Sequence, residues 1–250
     1  MRALLLSLLL LLPLPAAAEQ VVLGLSRDEV AITATFEGSD ILIFGAVKRE
    51  VPVIDPGSLD VIVTVAGPSL PVTVRRKGRV MGIWANVASA EITTAPSFYA
   101  VATTGPLDEV LAASEDLTHS ITIPRAIRAL GGGIEGTRAF TQALIRIRAG
   151  AGLYQVLEGA VHIDQDTLFN ARITLPANLT EGDYRTRIFL TRDGRVVDIY
   201  ETRIGVKKVG LERWLYNMAH ERSLLYGLMS LAIAIAAGWG ASAAFRALQR

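Results

Sequence analysis

The most constraining feature of this sequence is an uncharged apolar stretch near its C-terminus, Ser223 to Phe245, which Arg222 and Arg246 bracket. As a helix it is about 35 Å long at ~1.5 Å per residue, enough to cross a hydrocarbon core of ~30 Å with some tilt. A buried core helix rarely needs such a long run without charge, and a signal segment does not lie at a C-terminus. The stretch predicts a transmembrane helix over 223–245, followed by a short tail at 246–250.

The N-terminus has the three parts of a secretory signal peptide. Met1 and Arg2 form a short positive region, a leucine-rich run follows, and Ala16 to Ala18 supplies a small-residue cleavage pattern before Glu19. The apolar run is about ten residues long and ends in prolines, so it is too short to span a membrane. We expect residues 1–18 to be removed after they direct export of the chain.

Together these two segments predict a single-pass membrane protein with an exported bulk and a cytoplasmic C-terminus; for a bacterial inner membrane, which the family resemblance described below implies, the bulk is periplasmic. The charges beside the span favour the opposite orientation. Four basic residues precede the span and two follow it: Lys207, Lys208, Arg213 and Arg222, then Arg246 and Arg250. We expect the signal peptide, and not these charges, to determine the orientation of the chain in the membrane, because long domains translocate largely regardless of charge.

Composition excludes several classes of function. The 250 residues carry a formal net charge of +1, so there is no basic field to attract nucleic acid. The chain has no cysteine, which excludes disulfides, thiolate metal ligands and a cysteine nucleophile.

The first part of the mature chain, residues 19–114, has the period-two alternation of β-strands. Short runs rich in β-branched and aromatic residues are separated by turn sequences, which lie at 55–57, 67–68 and 77–78. Six or seven such strands predict an antiparallel, immunoglobulin-like β-sandwich, closed by a short helix over 106–114.

A second domain is expected over 137–206, after a connector at 115–136. Helical spacing over 137–149 is followed by four further strand patterns, and Asp193-Gly194 indicates a type I′ hairpin turn. Tyr184 lies where a tyrosine ties a loop to an immunoglobulin-like sandwich. The fold class expected is therefore mainly β, with two sandwich domains, a juxtamembrane helix over 207–222 and the transmembrane helix.

Five strings carry a family resemblance that covers most of the mature chain: RRKGRVMGIWAN (75–86), PSFYAVATTGPLDE (96–109), LIRIRAGAGLY (144–154), LPANLTEGDYRTRIFLTRDGRVV (175–197) and KVGLERWLYNMAHERSLLYGL (208–228). They resemble a family of alphaproteobacterial transmembrane proteins, Alph_Pro_TM, whose function is uncharacterised. The resemblance implies topology rather than chemistry. It also implies, through a loose association with sulfite-exporter-like permeases, an accessory role beside such a transporter.

No pattern in the sequence pairs groups for catalysis, so we expect no enzyme activity, no catalytic residues and no cofactor. The one candidate for a cation is His162, Asp164 and Asp166, which alternate onto one strand face. A solvated strand face explains the same pattern, and no second histidine motif accompanies it. We therefore assign no metal site, and an envelope enzyme stays a third alternative.

Two sets of residues are candidates for partner binding. Trp84, Phe98 and Tyr99 are aromatic residues in the strings of strongest resemblance, although core packing is the preferred explanation for all three. Phe98 and Tyr99 are adjacent and must point to opposite faces of a strand. Small residues recur every fourth position of the span, which makes one helix face smooth enough for close helix packing: Ala232, Ala236, Gly240 and Ala244.

The leading hypothesis from the sequence is a membrane-anchored periplasmic accessory or assembly protein. Its expected partners are the lipid bilayer and an integral-membrane protein, or a second copy of the chain bound through the transmembrane helix. The alternative is a membrane-tethered periplasmic sensor domain that binds a ligand or a metal.

Overall fold

The computed structural model of this chain describes residues 19–25, 29–32, 38–49, 59–129, 135–165, 167–208 and 211–248. Its strands are β1 (Glu19–Leu25), β2 (Glu29–Ile32), β3 (Gly38–Arg49), β4 (Leu59–Ala66), β5 (Ser69–Val80), β6 (Ile83–Pro96), β7 (Tyr99–Thr103), β8 (Tyr154–Leu157), β9 (Val161–Asp164), β10 (Leu168–Pro176), β11 (Gly182–Arg192) and β12 (Arg195–Lys208). Its helices are α1 (Leu107–Val110), α2 (Ala113–His119), α3 (Ile123–Ala126), α4 (Glu135–Gly150), α5 (Leu211–Glu221) and α6 (Ser223–Leu248).

The strands form three sheets. A four-stranded sheet has the order β1-β3-β10-β9, and a six-stranded sheet has the order β2-β12-β11-β4-β7-β8. Strands β5 and β6 pair only with each other and form a long hairpin. The prediction of a mainly β protein with short helices and one long apolar C-terminal helix is confirmed.

The two large sheets each combine strands from both predicted domains. Strand β3 pairs with β10, so that Ile41 lies opposite Ile173, and β4 pairs with β11, so that Val63 lies opposite Ile188. The division into sandwiches at 19–114 and 137–206 is therefore corrected, because residues 115–136 do not separate two sets of sheets. Alternation in a sequence indicates which face of a strand is buried but does not identify its partner strand.

The immunoglobulin-like arrangement is not confirmed. The six-stranded sheet is mixed, since β12 runs parallel to β2 and β7 runs parallel to β8. One local element of the prediction is nevertheless present: the hydroxyl of Tyr184 donates to the carbonyl of Thr180 at 2.8 Å, and the ring is fully buried. This tyrosine holds the loop that enters β11.

A hydrophobic core lies between the four-stranded and six-stranded sheets. Its largest residues include Ile43 and Phe169 from the first sheet and Tyr184 and Ile188 from the second. Burial of such side chains stabilises a fold by about 1.5–3 kcal/mol each, so this layer is a main source of stability.

A second core covers the opposite face of the six-stranded sheet. There Ile62 and Phe189 pack against helices α1, α3 and α4 and against the base of the β5–β6 hairpin. Strand β4 consequently has both faces covered: Val61, Val63 and Val65 face the first core while Ile62 faces the second. The continuous apolar run VIVTV is the pattern expected of such a central strand.

Several local predictions can be compared with the structure. Asp193 and Gly194 have φ angles of +49° and +76°, as a type I′ turn requires, so that prediction is confirmed. The turn predicted at residues 77–78 is wrong, because both residues lie inside β5. The predicted cleavage site, the turn at 55–57 and Asp166 lie outside the described residues.

The C-terminal part is helical from Leu211, as predicted, but residues 207–208 of the predicted juxtamembrane helix belong to β12. Helix α5 ends at Glu221 and α6 begins at Ser223. Between them, the amide of Arg222 donates to the carbonyl of Met218 at 3.1 Å. The carbonyl of Arg222 accepts from the amide of Tyr226, also at 3.1 Å. Helical hydrogen bonding thus continues through the junction. Residues Ser223–Ala243 of α6 are long and apolar enough to cross a membrane, and none of this span is buried against the rest of the described chain.

Candidate functional site

Buried side chains and backbone hydrogen bonds fix the hairpin of β5 and β6 to the body at its base. Val74 and Ile92 are buried in the second core, and Thr94 forms a backbone bridge to Arg128 with bonds of 3.0 and 2.8 Å. The carbonyl of Pro96 accepts a bond of 2.8 Å from the hydroxyl of Tyr154. These contacts set the direction in which the hairpin leaves the protein.

Beyond its base, the hairpin is a free two-stranded ribbon. No other described strand pairs with either of its edges. The seven residues from Arg75 to Met81 extend it by about 20 Å at ~3.3 Å per residue. The turn at its end is formed by Met81 and Gly82, with φ angles of +48° and +87°.

The far end of this ribbon exposes large apolar side chains to solvent. Trp84 is 71% exposed and Ile83 is 69% exposed, while Met81 at the turn is fully exposed. Val80 and Val87 are exposed as well. We call this set, Val80, Met81, Ile83, Trp84 and Val87, the apolar tip.

The two faces of the ribbon differ in chemistry. Arg79 lies opposite Trp84 and Val80 lies opposite Ile83, so each pair shares one face. Alternation along β5 places two further cations on the Trp84 face, Arg75 and Lys77. One face therefore combines cations with Trp84, while the other carries Val80 and Ile83 together with Arg76.

Phe98 and Tyr99 are not on the surface. They point to opposite faces, as predicted, but Phe98 is buried in the first core and Tyr99 in the second. The hydroxyl of Tyr99 donates to the carbonyl of Ile121 at 2.8 Å. Burial raises the pKa of Tyr99 above its ordinary value, against the opposing effect of the nearby Arg187 guanidinium. Both residues serve packing, and Trp84 is the member of this set that the structure places where a partner can reach it.

The small residues of the span lie on one exposed helix. Ala232, Ala236 and Gly240 are all exposed, and Ala244 belongs to the same helix α6. No atom lies within 4 Å of the position that a Cβ atom would take on Gly240. This part of the helix is accessible to a second helix along its length.

The suggested cation site does not gather ligands. His162 and Asp164 lie on the exposed side of the edge strand β9. Within the part of the chain that the structure describes, no three His, Asp or Glu side chains come together as they would to hold a metal ion. Asp166, the third residue of the pattern, lies outside the described residues.

One family model matches nearly the whole length of the chain. The family model with the description "Putative transmembrane protein (Alph_Pro_TM)" matches residues 20–247. The chain belongs to the Alph_Pro_TM family. The membrane association that the family name states agrees with the exposed apolar helix α6. A search of curated proteins finds no match.

For this Alph_Pro_TM chain, sequence reasoning found one residue of the apolar tip and missed the rest. Trp84 is a candidate from the sequence, whereas Val80 and Ile83 lie within the strand patterns expected over residues 19–114. The available signal was the apolar run VMGIW directly after the basic run RRKGR. An apolar turn segment behind a charged strand is unusual for a solvent-exposed hairpin.

Proposed function

We propose that the chain is a membrane-anchored accessory protein that binds an integral-membrane protein through the β5–β6 hairpin. The observation that carries this proposal is the apolar tip, which stands on a ribbon tied to the body at its base. A permease of the sulfite-exporter-like kind is the partner class that the family resemblance implies.

The physics of an isolated ribbon supports this function. A two-stranded hairpin is marginally stable in water unless one face packs against something. Contiguous exposed apolar residues on a folded protein mark an interaction surface. Trp84, with Arg79 across from it, adds the aromatic and arginine side chains that most often dominate binding energy at interfaces.

The proposed location is the inner membrane, with residues 19–222 in the periplasm and the C-terminus in the cytoplasm. Trp214, Tyr216 and Tyr226 are exposed aromatic side chains at the start of the span, where such residues anchor helices at the lipid–water interface. A reporter enzyme that is active only in the cytoplasm, fused after Arg250, should be active. Activity there of a reporter that works only in the periplasm would reverse the orientation.

The proposed role of α6 is to bring this surface to its partner and to contribute a second contact. In lipid, helix association depends on close van der Waals packing, which small side chains permit. The face of Ala232, Ala236 and Gly240 fits this role, because each is exposed within the described chain. The partner helix is then either that of the integral-membrane protein or that of a second copy.

Co-purification tests the proposal. The full chain, extracted in a mild detergent, should carry a stoichiometric integral-membrane protein, and the double variant Ile83→Ser, Trp84→Ser should lose it. Leu168→Ser is the matched control, since Leu168 is an exposed apolar residue on β10, in the four-stranded sheet and away from the hairpin in the strand order. Equal recovery of the same protein with the hairpin variant would remove the hairpin from the interface.

A further inference from the structure

A cavity of about 370 Å³ lies beside the base of the hairpin. Its floor is the six-stranded sheet, where Arg185 and Arg187 alternate onto the face that carries Phe189. Its walls are the segment after helix α2 and the first residues of the hairpin, including Ser120 and Ser69. The volume falls in the usual range for small-molecule sites.

Four arginine residues line this cavity. Two come from the sheet, Arg185 and Arg187, and two from the helical layer, Arg125 and Arg128. The backbone bridge between Thr94 and Arg128 holds the second pair close to the hairpin base. These four residues come from sequence positions about 60 apart, so only the fold brings them together.

Few carboxylates neutralise these four charges. Oδ2 of Asp116 lies 4.0 Å from Nε of Arg125. The carboxylate of Asp116 also accepts hydrogen bonds of 2.8–3.0 Å from the amides of Ile121 and Thr122 and from the hydroxyl of Thr122. Glu201 lies opposite Arg187 in the strand register, but no ion pair joins the two. Across the described residues, Arg128, Arg185 and Arg187 have no carboxylate partner within 4.0 Å.

Arg187 is held in place by neutral groups. Its two terminal nitrogens donate to the carbonyls of His119 at 2.7 Å and Ser120 at 3.1 Å, and its guanidinium lies over the ring of Phe189 at 5.0 Å. Its Nε is buried with no partner in the described chain. The positive charge is thus fixed beside the cavity, and no carboxylate of the described residues pairs with it.

We infer that this cavity binds an anion with a phosphate or sulfate group. Like charges held in one cavity repel each other, and an oxyanion removes that cost. The planar fork of an arginine matches two oxygens of such a group at once, which a chloride ion cannot exploit. The volume exceeds that of a bare oxyanion, so a small phosphate monoester fits the same chemistry.

Thermal unfolding of the full chain in detergent tests this inference, without any need for a partner protein. Inorganic phosphate, inorganic sulfate or glycerol 3-phosphate should raise the melting temperature with saturation, at constant ionic strength set with sodium chloride. A response to the inorganic anions assigns a free oxyanion as the ligand, whereas a response to glycerol 3-phosphate alone assigns a phosphate monoester such as a lipid headgroup.

Two variants locate the effect. Arg185→Gln and Arg128→Gln remove exposed guanidinium groups that have no side-chain hydrogen bond or ion pair to the described residues, and each should weaken the apparent affinity at least about tenfold. Arg172→Gln, on the exposed side of β10, removes the same charge elsewhere and should leave the affinity unchanged. The absence of a saturating shift with all three anions, or an equal loss with Arg172→Gln, would overturn the assignment.

Discussion

The side chain of Val87 occupies the space in which a side chain on Gly78 would lie. A Cβ atom built on Gly78 would stand 2.9 Å from both Cγ atoms of Val87. The two residues belong to opposite strands of the hairpin, next to a register shift between Arg76 and Lys77. Val87 therefore closes over the glycine and stiffens the ribbon that presents the apolar tip.

Gly78→Ala should loosen the ribbon, because the new methyl group and Val87 cannot share that space. Trypsin should then cleave faster within the basic segment 75–79, while the melting temperature of the body changes little. The double variant Gly78→Ala, Val87→Ala should restore slow cleavage. Fast cleavage of the wild-type ribbon, equal to that of the single variant, would contradict this packing.

Gly194→Val should destabilise the β11–β12 hairpin. The residue has a φ of +76°, and a Cβ atom there would lie 3.2 Å from the amide nitrogen of Ala112, which donates to the carbonyl of Gly194. Positive φ is strained for a β-branched residue, so we expect a loss of about 1–3 kcal/mol in the free energy of unfolding.

The control for that variant is Gly159→Val. Gly159 has a similar φ of +70°, but no atom lies within 4 Å of its Cβ position. Chemical denaturation measures the free energy of unfolding of each variant, and the difference between the two losses is the contribution of the contact with Ala112. Equal losses would show that the contact adds nothing to the backbone strain.

The stability of the fold should depend on alkaline pH. Burial raises the pKa of Tyr99, Tyr154 and Tyr184 above the ordinary value of 10.0. Below pH 10 both the folded and the unfolded chain keep these protons. Above it the unfolded chain loses them first, so stability falls until the pH passes the raised pKa values.

Tyr184→Phe should make the free energy of unfolding fall less steeply with pH above 10. The variant should also lose about 1 kcal/mol of that free energy at neutral pH, because it lacks the hydrogen bond to Thr180. Circular dichroism during denaturation between pH 8 and 11 measures both effects. An unchanged slope in Tyr184→Phe would argue against proton retention by this buried phenol.

The smooth face of α6 gives a prediction about association in the membrane. Ala236→Leu with Gly240→Leu should abolish co-purification or self-association while the chain still inserts. A matched control is Ala234→Leu with Gly238→Leu, which adds the same volume about 160° around the helix. Apart from the local helix backbone, no atom of the described residues lies within 4 Å of a Cβ position on Gly238 or Gly240, so any loss reports on a partner. Equal loss of co-purification in both double variants would show that the face of Ala236 and Gly240 is not the specific contact surface.

The sequence predicted local structure well wherever one stretch carried the whole signal. The type I′ turn needs only Asp193 and Gly194, and the transmembrane helix needs only its own composition. Helix α4 and the bond of Tyr184 to its own loop were local in the same sense. Each of these predictions depended on residues within a few positions of one another.

Features that depend on distant pairing were not predictable in the same way. The sharing of sheets between both halves of the chain requires β3 to find β10 and β4 to find β11, which alternation does not specify. The arginine cavity joins Arg125 and Arg128 to Arg185 and Arg187 across a fold that the sequence did not reveal. The hairpin turn was misplaced because Gly78 resembled a turn glycine, whereas it accommodates Val87.

The most direct measurement of the central proposal is photo-crosslinking in intact cells from an unnatural amino acid at position 84, with position 168 as control. Both positions carry exposed apolar residues, Trp84 on the hairpin and Leu168 on the four-stranded sheet. Our account predicts that position 84 is joined to the integral-membrane protein that co-purifies with the full chain, and that position 168 is not. Crosslinks to that protein from position 168 alone, or none from position 84, would contradict it.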